Sequence, residues 1–298
     1  MSQNKSITLL KTMRPPFLIL TPVCVFLGLA ISPVSDSTSW LSFVLIITGA
    51  LSAHISVNTL NEYFDYKSGL DLKTVKTPFS GGSGALPEHP EAAQLVLIAG
   101  LVSLAITATI GLYFLFTGNL QILPIGLIGV VLVITYTQWL NRLPLLCLIA
   151  PGLGFGILMV LGTSVVLGGS LSMQLCLLSL IPFFLTNNIL LLNQYPDLQA
   201  DQETGRRTFP IAFGLQISTL VYAAFALAAY VLIGFSIVAG QVPMLGMIAL
   251  LPAALSFFAF LGASKHSSRI GEHPQHLAAN VAAGILTPLL LGTSMMIN

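Results

Sequence analysis

The 298-residue chain is 55% hydrophobic and only 7% charged, with a mean hydropathy of +0.91. Because about a quarter of the residues in a soluble domain are charged, this composition excludes a soluble globular protein and indicates a polytopic membrane protein. The formal net charge of +1 gives no support for nucleic-acid binding. The apolar runs are continuous rather than alternating, which favours membrane-spanning helices over a barrel.

Hydrophobic runs between polar breakers predict nine membrane-spanning helices, each near the roughly 20 residues that cross a bilayer. The predicted spans are 15–33, 39–63, 93–116, 120–138, 144–168, 172–194, 215–239, 243–263 and 276–296. Connections such as 117–119 and 240–241 are so short that the spans they join must be antiparallel neighbours. The sequence therefore predicts an all-α transmembrane bundle in which residues 1–298 form a single domain.

The charged residues predict the orientation of the chain. All eleven lysine and arginine residues fall on the amino-terminal side of the predicted spans. They are Lys5, Lys11, Arg14, Lys67, Lys73, Lys76, Arg142, Arg206, Arg207, Lys265 and Arg269. Nine of the ten acids fall on the same side, with Asp36 as the exception. The positive-inside rule then places the amino terminus and the loops 64–92 and 195–214 in the cytoplasm, and the carboxyl terminus on the opposite side.

A polar stripe closes the second predicted span. His54, Asn58, Asn61 and Asp65 recur at spacings of four, three and four, which places them on one face of a helix. The stripe leads into the segment NEYFDYKSGLD, residues 61–71. A carboxylate near hydrocarbon costs about 2.5 to 3.5 kcal/mol unless it is paired or hydrated, so the stripe is a candidate functional site. A solvated helix end explains one such acid equally well.

A second copy of the pattern makes the functional interpretation stronger. Asn193 follows Asn61 by 132 residues, and Asp197 follows Asp65 by the same 132, again at the end of an apolar run. Asp201 completes this second motif. A separation of four spans preserves orientation, so we predict two parallel four-helix halves plus a ninth helix. The two acidic motifs then face each other on the cytoplasmic side.

The residue types in the two motifs suit a metal-bound diphosphate. Carboxylate and amide oxygens are hard ligands, and Mg²⁺ takes one or two carboxylates while sharing its other positions with phosphate and water. Two facing clusters therefore suggest two ions. Candidate phosphate-binding cations are Arg14, Lys73, Lys76, Arg142, Arg206 and Arg207. Because the positive-inside rule explains any one of these cations, only their position beside the motifs favours phosphate binding.

Over nearly its whole length the sequence resembles the UbiA superfamily of membrane prenyltransferases, whose members are nine-helix bundles with two Asp-rich motifs. NEYFDYKSGLD is similar to the first motif of the menaquinone-type (1,4-dihydroxy-2-naphthoate) branch, and NQYPDLQADQETGRRTFPIAFG is similar to the second. KTMRPPFLILTPV and YTQWLNRLPLLCLIAPGLGFG also look like family segments. The resemblance implies Mg²⁺-dependent transfer of a prenyl group from a prenyl diphosphate to an aromatic acceptor, within the lipid bilayer.

The resemblance also implies roles for individual residues. Two Mg²⁺ ions would be held by Asn61, Asp65, Asn193, Asp197 and Asp201. Diphosphate would be contacted by Arg14, Lys73, Lys76, Arg142 and Arg207. The catalytic acids would be Asp65, Asp71, Asp197 and Asp201, with Asp71 as the first candidate for the general base. Glu62 stands where many relatives have Asp, and Phe155 stands in GLGFG where menaquinone-type members often carry an acid, which leaves the acceptor open.

Two other functions remain open from the residues alone. An ion-coupled transporter also has internal repeats and intramembrane acids, but its acids lie near the bilayer midplane rather than at one end of their spans. A metal-dependent lipid phosphotransferase would share the Mg²⁺ chemistry without the aromatic acceptor. Its usual DG-xx-AR signature does not occur in the sequence.

Overall fold

The computed structural model describes residues 2–33 and 39–297, and these residues form helices joined by short loops, with no strand among them. Asp36, the one acid predicted on the non-cytoplasmic side, lies outside the described residues. The main helices are α1 (Leu20–Ile31), α2 (Trp40–Ser68), α3 (Ala93–Phe116), α4 (Ile122–Thr135), α5 (Pro144–Val166), α6 (Met173–Asn193), α7 (Phe209–Val238), α8 (Ala253–His266) and α9 (Pro274–Met296). A separate helix, Ser2–Thr12, precedes α1.

The predicted all-helical membrane architecture is confirmed. Within the two described ranges, eight helical stretches are long and apolar enough to cross a membrane, and α4 is a further, shorter apolar helix at the predicted span 120–138. The largest boundary difference is at α8, which begins at Ala253 rather than at residue 243, because Met244–Leu250 forms a 3₁₀ helix. The next is at α7, which begins at Phe209 rather than at residue 215. Gly214 has non-helical backbone angles inside α7, so the apolar run that predicted the span begins only after this kink.

The packing of one pair of neighbouring helices in the first half recurs four helices later in the second half, as expected for two parallel halves. In the first half α2 packs along α3, and in the second half the corresponding α6 packs along α7. The helix α1 lies between the halves, against α5 and α9. The most buried span is α6, whereas α4 has no buried residue in the described chain and exposes its apolar side chains on the outside. The second acidic motif therefore lies at the end of the most buried helix.

Both motif-bearing helices begin at a serine N-cap. The Ser39 hydroxyl accepts a hydrogen bond from Leu41 N at 3.2 Å, and the Ser172 hydroxyl accepts one from Leu175 N at 3.1 Å. The helix α2 ends at Gly69, whose φ of 78° supplies the left-handed C-cap. These caps fix where each helix ends, and with it the depth of each motif at the end of the bundle.

The helix α5 contains a π-helical segment, Gly152–Leu158, after Pro151. Gly152 and Gly156 face the backbone of Phe183 in α6 so closely that a Cβ at either position would clash. Glycine at these positions therefore allows α5 and α6 to approach, while the widened turn accommodates Phe155 beside the interior cavity.

Candidate active site

An elongated cavity of about 430 Å³ runs through the bundle. Its polar end is lined by every motif residue that the sequence predicts, namely Asn61, Asp65, Asp71, Asn193, Asp197 and Asp201. Its apolar part extends along α2, α3 and α4 to residues such as Ile46 and Phe114. Asp65 and Ile46 are 19 residues apart on α2, which corresponds to about 28 Å of helix. The cavity can therefore hold a charged head group at one end and a long hydrocarbon chain behind it.

The first motif is rigid because its side chains bond to one another and to α4. Asn61 Nδ2 donates a hydrogen bond to Asp65 Oδ2 at 2.6 Å, one helical turn away. Thr137, just past the end of α4, donates to Asn61 Oδ1 at 3.2 Å. The Asp65 side chain is only 8% exposed. The amide and the carboxylate therefore face the cavity in a fixed arrangement.

Arg206 joins the two motifs. Its Nη2 forms a short ion pair with Asp65 Oδ1, and its Nη1 lies 3.2 Å from Asp201 Oδ1. The Arg206 guanidinium thereby neutralises one acid from each half of the chain. A metal cation bound to the same carboxylate oxygens would neutralise them in the same way. The sequence predicts Arg206 as a candidate phosphate-binding cation beside the motifs, but not as a partner of Asp65. Its position five residues after Asp201 is the only sequence signal for this contact.

Glu62 anchors the loop that covers the site, residues 73–84, called the covering loop below. It accepts hydrogen bonds from Arg14 Nε at 2.8 Å and from the Ser83 backbone N–H at 2.8 Å. The Ser83 hydroxyl donates to the second Glu62 oxygen at 2.5 Å. Arg14 has a left-handed backbone (φ 53°) immediately before Pro15, which turns the chain so that its side chain reaches Glu62. The motif position that differs from many relatives thus has a structural partner set of its own.

The covering loop also contacts the second motif. Gly81 N–H donates a hydrogen bond to Asp197 Oδ2 at 3.0 Å. Gly81 has φ 78°, and a Cβ there would lie 2.8 Å from Val75 O. Gly82 has φ 69°, and a Cβ there would lie 2.9 Å from Asp71 Oδ1. Glycine is required at both positions for the loop to approach the two acid clusters.

Several oxygens at the polar end of the cavity have no partner in the described chain. They are Asp71 Oδ2, Asn193 Oδ1 and Asp197 Oδ1, and each of these atoms is buried. Buried oxygens almost always have a bonding partner, so these oxygens are suited to bind a cation such as Mg²⁺. No three acidic, histidine or cysteine side chains of residues 2–33 and 39–297 converge on one point.

Burial weakens the acidity of the site when no metal is bound. It raises the pKa of Asp71 to about 8, that of Asp201 to about 7 and that of Asp197 to about 6. Neighbouring carboxylates contribute to each shift in the same direction. These acids therefore need a cation nearby to be fully ionised near neutral pH.

Two of the predicted diphosphate-binding lysines pair with acids outside the cavity. Lys73 Nζ lies 3.3 Å from Glu203 Oε2, and Lys76 Nζ lies 3.2 Å from Glu88 Oε1. All four side chains are about half exposed. The Lys73–Glu203 pair connects the loop after the first motif to the short helix after the second, so it holds the two motif loops together at the surface.

The predicted arginines occupy three different environments. Arg14 lines the cavity next to the acid clusters. Arg207 is exposed, and only its backbone is engaged in the described chain, where its N–H donates to Asn141 O at 3.0 Å. Arg142 lines a second cavity that adjoins the first. Among the five predicted diphosphate-binding residues, Arg14 is thus the one that the described structure places in the main cavity.

The sequence model of the UbiA prenyltransferase family matches residues 19–272 of this chain. The chain belongs to the UbiA prenyltransferase family. The match includes α2 and α6 with both acidic motifs and all of the loops that cover the cavity.

Other UbiA proteins are similar in sequence or in structure. The chain is 28% identical over 237 residues, covering 78% of this chain and 74% of the relative, to 1,4-dihydroxy-2-naphthoate octaprenyltransferase of Bacillus subtilis (strain 168). A UbiA homologue from Aeropyrum pernix K1 matches with a TM-score of 0.70 at 15% identity, covering 94% of this chain and 97% of that one. A UbiA homologue from Archaeoglobus fulgidus bound to DMAPP and Mg²⁺ matches with a TM-score of 0.64 at 16% identity, covering 94% and 99%. The UbiA fold therefore extends over nearly the whole chain.

Proposed function

We propose that this UbiA-family enzyme transfers a prenyl group from a prenyl diphosphate to an aromatic acceptor and that the transfer depends on Mg²⁺. The observation that carries the proposal is the pair of acid clusters at the mouth of a long apolar cavity. The Archaeoglobus homologue binds a prenyl diphosphate together with Mg²⁺, and the Bacillus relative is named for prenylation of a dihydroxynaphthoate. A quinone precursor such as 1,4-dihydroxy-2-naphthoate is accordingly the proposed acceptor class.

The two motifs divide the metal ligands between them. Asn61 and Asp65 would hold one Mg²⁺ ion, and Asn193, Asp197 and Asp201 would hold a second. Bound Mg²⁺ supplies positive charge that stabilises the diphosphate as it leaves. The unpartnered oxygens of Asn193 and Asp197 and the ion-paired oxygens of Asp65 and Asp201 are the ligand atoms that this arrangement uses.

The protein's own residues have three further tasks in the reaction. Arg14 at the cavity wall adds a fixed positive charge beside the diphosphate. The apolar cavity holds the prenyl chain and excludes water that would quench an allylic cation. As the C1–oxygen bond breaks, its electron pair leaves on the diphosphate, a ring carbon of the acceptor bonds to C1, and that carbon then loses its proton. Asp71, with a buried and unpartnered Oδ2, is the proposed proton acceptor.

The exposed cations beside the motifs bind diphosphate on its approach and departure. The surface from which the acid clusters are reached is bordered by Lys73, Lys76 and Arg207. The two lysines form ion pairs with half-exposed glutamates, and Arg207 is itself exposed. Such pairs exchange readily with a highly charged anion, because exposed ion pairs contribute little free energy. These residues would therefore affect the affinity for diphosphate more than the rate of transfer.

We infer that residues 1–298 act as one domain, with the amino terminus and the motif loops in the cytoplasm and the carboxyl terminus on the other side. The support is the placement of every lysine and arginine on the amino-terminal side of the predicted spans. Val75 and Ile297 are both highly exposed and suit labelling from the two sides. In a protein without its native cysteines, Val75→Cys should react from the cytoplasmic side and Ile297→Cys from the opposite side. Equal reactivity from one side would contradict this orientation.

The function is tested by incubating purified protein with Mg²⁺, prenyl diphosphates of several lengths and a panel of aromatic acids. Mass spectrometry should detect a prenylated aromatic product whose formation stops with EDTA. Transfer that is equally fast in EDTA, or no prenylated product with any pair of substrates, would refute the proposed function.

A further inference from the structure

A second cavity of about 370 Å³ lies on the other side of the Asp65–Arg206 ion pair. Asp65, Asn141 and Arg206 line both this side cavity and the main one. The other walls come from the end of α2 and from the segment between α4 and α5. Its volume falls within the range of small-molecule sites. The side cavity is thus separated from the reaction centre by little more than one ion pair.

The side cavity is positively charged. Lys67, Arg142 and Arg206 line it, against the single carboxylate of Asp65, which is already engaged by Arg206. Neither Lys67 nor Arg142 forms an ion pair with any described residue, although Lys67 Nζ lies 5.8 Å from the ring centre of Tyr63. The positive-inside rule accounts for cations on this side of the membrane but not for a cavity between them. The side cavity should therefore attract an anion.

The walls of the side cavity indicate which anion it takes. Phe64 and Trp139 add aromatic rings beside the cations, a combination that suits a planar aromatic carboxylate. A metal-bound diphosphate would need carboxylate oxygens from both motifs for its ions, and Asp65 is the one carboxylate among the described residues that lines the side cavity. The orphaned oxygens of Asp71 and Asp197 line the main cavity instead.

We propose that the side cavity binds an aromatic carboxylate acceptor through Arg142 and Lys67 and delivers it to the reaction centre past the Asp65–Arg206 pair. This proposal rests on the proposed prenyl transfer. The two substrates then arrive by separate routes, the apolar donor along the main cavity and the anionic acceptor from the aqueous end. Arg142, which the sequence assigns to diphosphate, acquires a different ligand.

The sequence offers a direct optical test. It contains two tryptophans, Trp40 and Trp139, and Trp40 lies at the far end of α2 from the motif. In the Trp40→Phe protein, fluorescence comes from Trp139 in the wall of the side cavity. We expect 1-hydroxy-2-naphthoate, added in EDTA without prenyl diphosphate, to quench this fluorescence saturably. In the Trp40→Phe background, Arg142→Ala and Lys67→Ala should each weaken the apparent affinity for the naphthoate about tenfold. This is the effect expected from the loss of one charge-assisted hydrogen bond.

Three controls sharpen the test. Arg269→Ala removes an exposed arginine from another loop and should leave the affinity unchanged. Arg142→Gln keeps most of the side-chain volume and should behave like Arg142→Ala. Quenching by 1-naphthol, which lacks the carboxylate, should not depend on Arg142. Quenching by the naphthoate that is equally strong in the Arg142 variants, or displacement of the naphthoate by low concentrations of inorganic diphosphate, would overturn the proposal.

Steady-state kinetics distinguish failure of this proposal from failure of the proposed function. We expect Arg142→Ala to raise the KM for the aromatic acid about tenfold while leaving kcat and the KM for prenyl diphosphate unchanged. Normal transfer with an unchanged acceptor KM would refute the side-cavity site alone. Absence of transfer in the unaltered enzyme as well would refute the proposed function.

Discussion

Asp65 and Asp197 occupy corresponding positions in the two halves of the chain, yet different partners hold them. Asp65 lies within α2, hydrogen-bonded to Asn61 and ion-paired with Arg206. Asp197 lies beyond the end of α6, where one oxygen accepts from Gly81 N–H and the other has no partner in the described chain. The first motif is therefore fixed by side chains on a helix, and the second depends on the covering loop.

This difference shows how a duplicated motif can divide its tasks. A carboxylate on a helix with an adjacent amide is positioned before any ligand arrives. A carboxylate held by a loop N–H changes partners when the loop moves. We expect the first motif to provide a fixed anchor and the second to respond to the bound diphosphate.

The largest expected effect comes from removing either charge. Asp65→Asn and Asp197→Asn should each lower kcat by about 10²–10³-fold, because an amide oxygen at the same position carries only a partial charge toward the metal and the diphosphate. The double variant should lose little more than either single variant, because each loss alone disables the shared site. Losses that simply multiply, or robust Mg²⁺-dependent transfer by the double variant, would contradict a joint site.

The next effect concerns the ion pair that distinguishes the first motif. Arg206→Ala should lower the free energy of unfolding in EDTA by about 3–5 kcal/mol, because it leaves Asp65 and Asp201 as uncompensated buried charges. Mg²⁺ should restore much of this loss by replacing the missing cation. Thermal unfolding with and without Mg²⁺ measures both quantities, and Arg207→Ala is the control, since that arginine is exposed. Destabilisation by Arg206→Ala that Mg²⁺ leaves unchanged would argue against a cation position at these oxygens.

The acidity of the second motif predicts a pH dependence. Burial raises the pKa of Asp197 to about 6 and that of Asp201 to about 7, so protons compete with Mg²⁺ below these values. The half-saturating Mg²⁺ concentration should therefore fall by roughly tenfold in total as the pH rises from 6 to 7, mainly through ionisation of Asp201. It should level off above about pH 8, where Asp197 and Asp201 are both ionised. A Mg²⁺ requirement that is constant over this range would contradict protonated acids in the metal-free site.

The loop contact that distinguishes the second motif can be disturbed by one methyl group. Gly81→Ala should raise the KM for prenyl diphosphate severalfold, because its Cβ would push the loop away from Val75 O and loosen the bond to Asp197. Gly240→Ala is the matched control, since Gly240 has φ 69° but no heavy atom within 4 Å of its Cβ position. Gly240→Ala introduces a backbone strain like that of Gly81→Ala but does not contact the site. Equal KM values in the two variants would show that the loop contact has no part in binding.

The smallest effect is expected at the surface pair between the motif loops. Lys73→Ala should weaken diphosphate affinity a few-fold and leave the melting temperature unchanged, because exposed ion pairs add little stability. Glu203→Ala breaks the same pair but keeps the cation, so it should not weaken diphosphate binding. If both variants weaken binding equally, the pair acts by holding the loops together rather than through the charge of Lys73.

Periodicity and repetition are sufficient to predict the helices and the motif residues that line the cavity together. The period of α2 places Asn61 and Asp65 on one face, and the 132-residue offset identifies their counterparts at α6. The partners of these side chains are not predictable in the same way, because they depend on side chains that meet across loops. Arg206 and Asp65 form an ion pair although they are 141 residues apart in the sequence. Lys73, predicted to bind diphosphate, forms an ion pair with Glu203 instead.

We propose that both motifs bind metal on one diphosphate. Crystals grown with Mn²⁺ and a non-reactive prenyl thiodiphosphate would test it through the anomalous signal of manganese. We expect metal density beside Asp65 and beside Asp197 and Asp201, with one diphosphate between them and Arg206 displaced from the Asp65 carboxylate. Metal bound at only one motif, or a diphosphate located away from both, would contradict it.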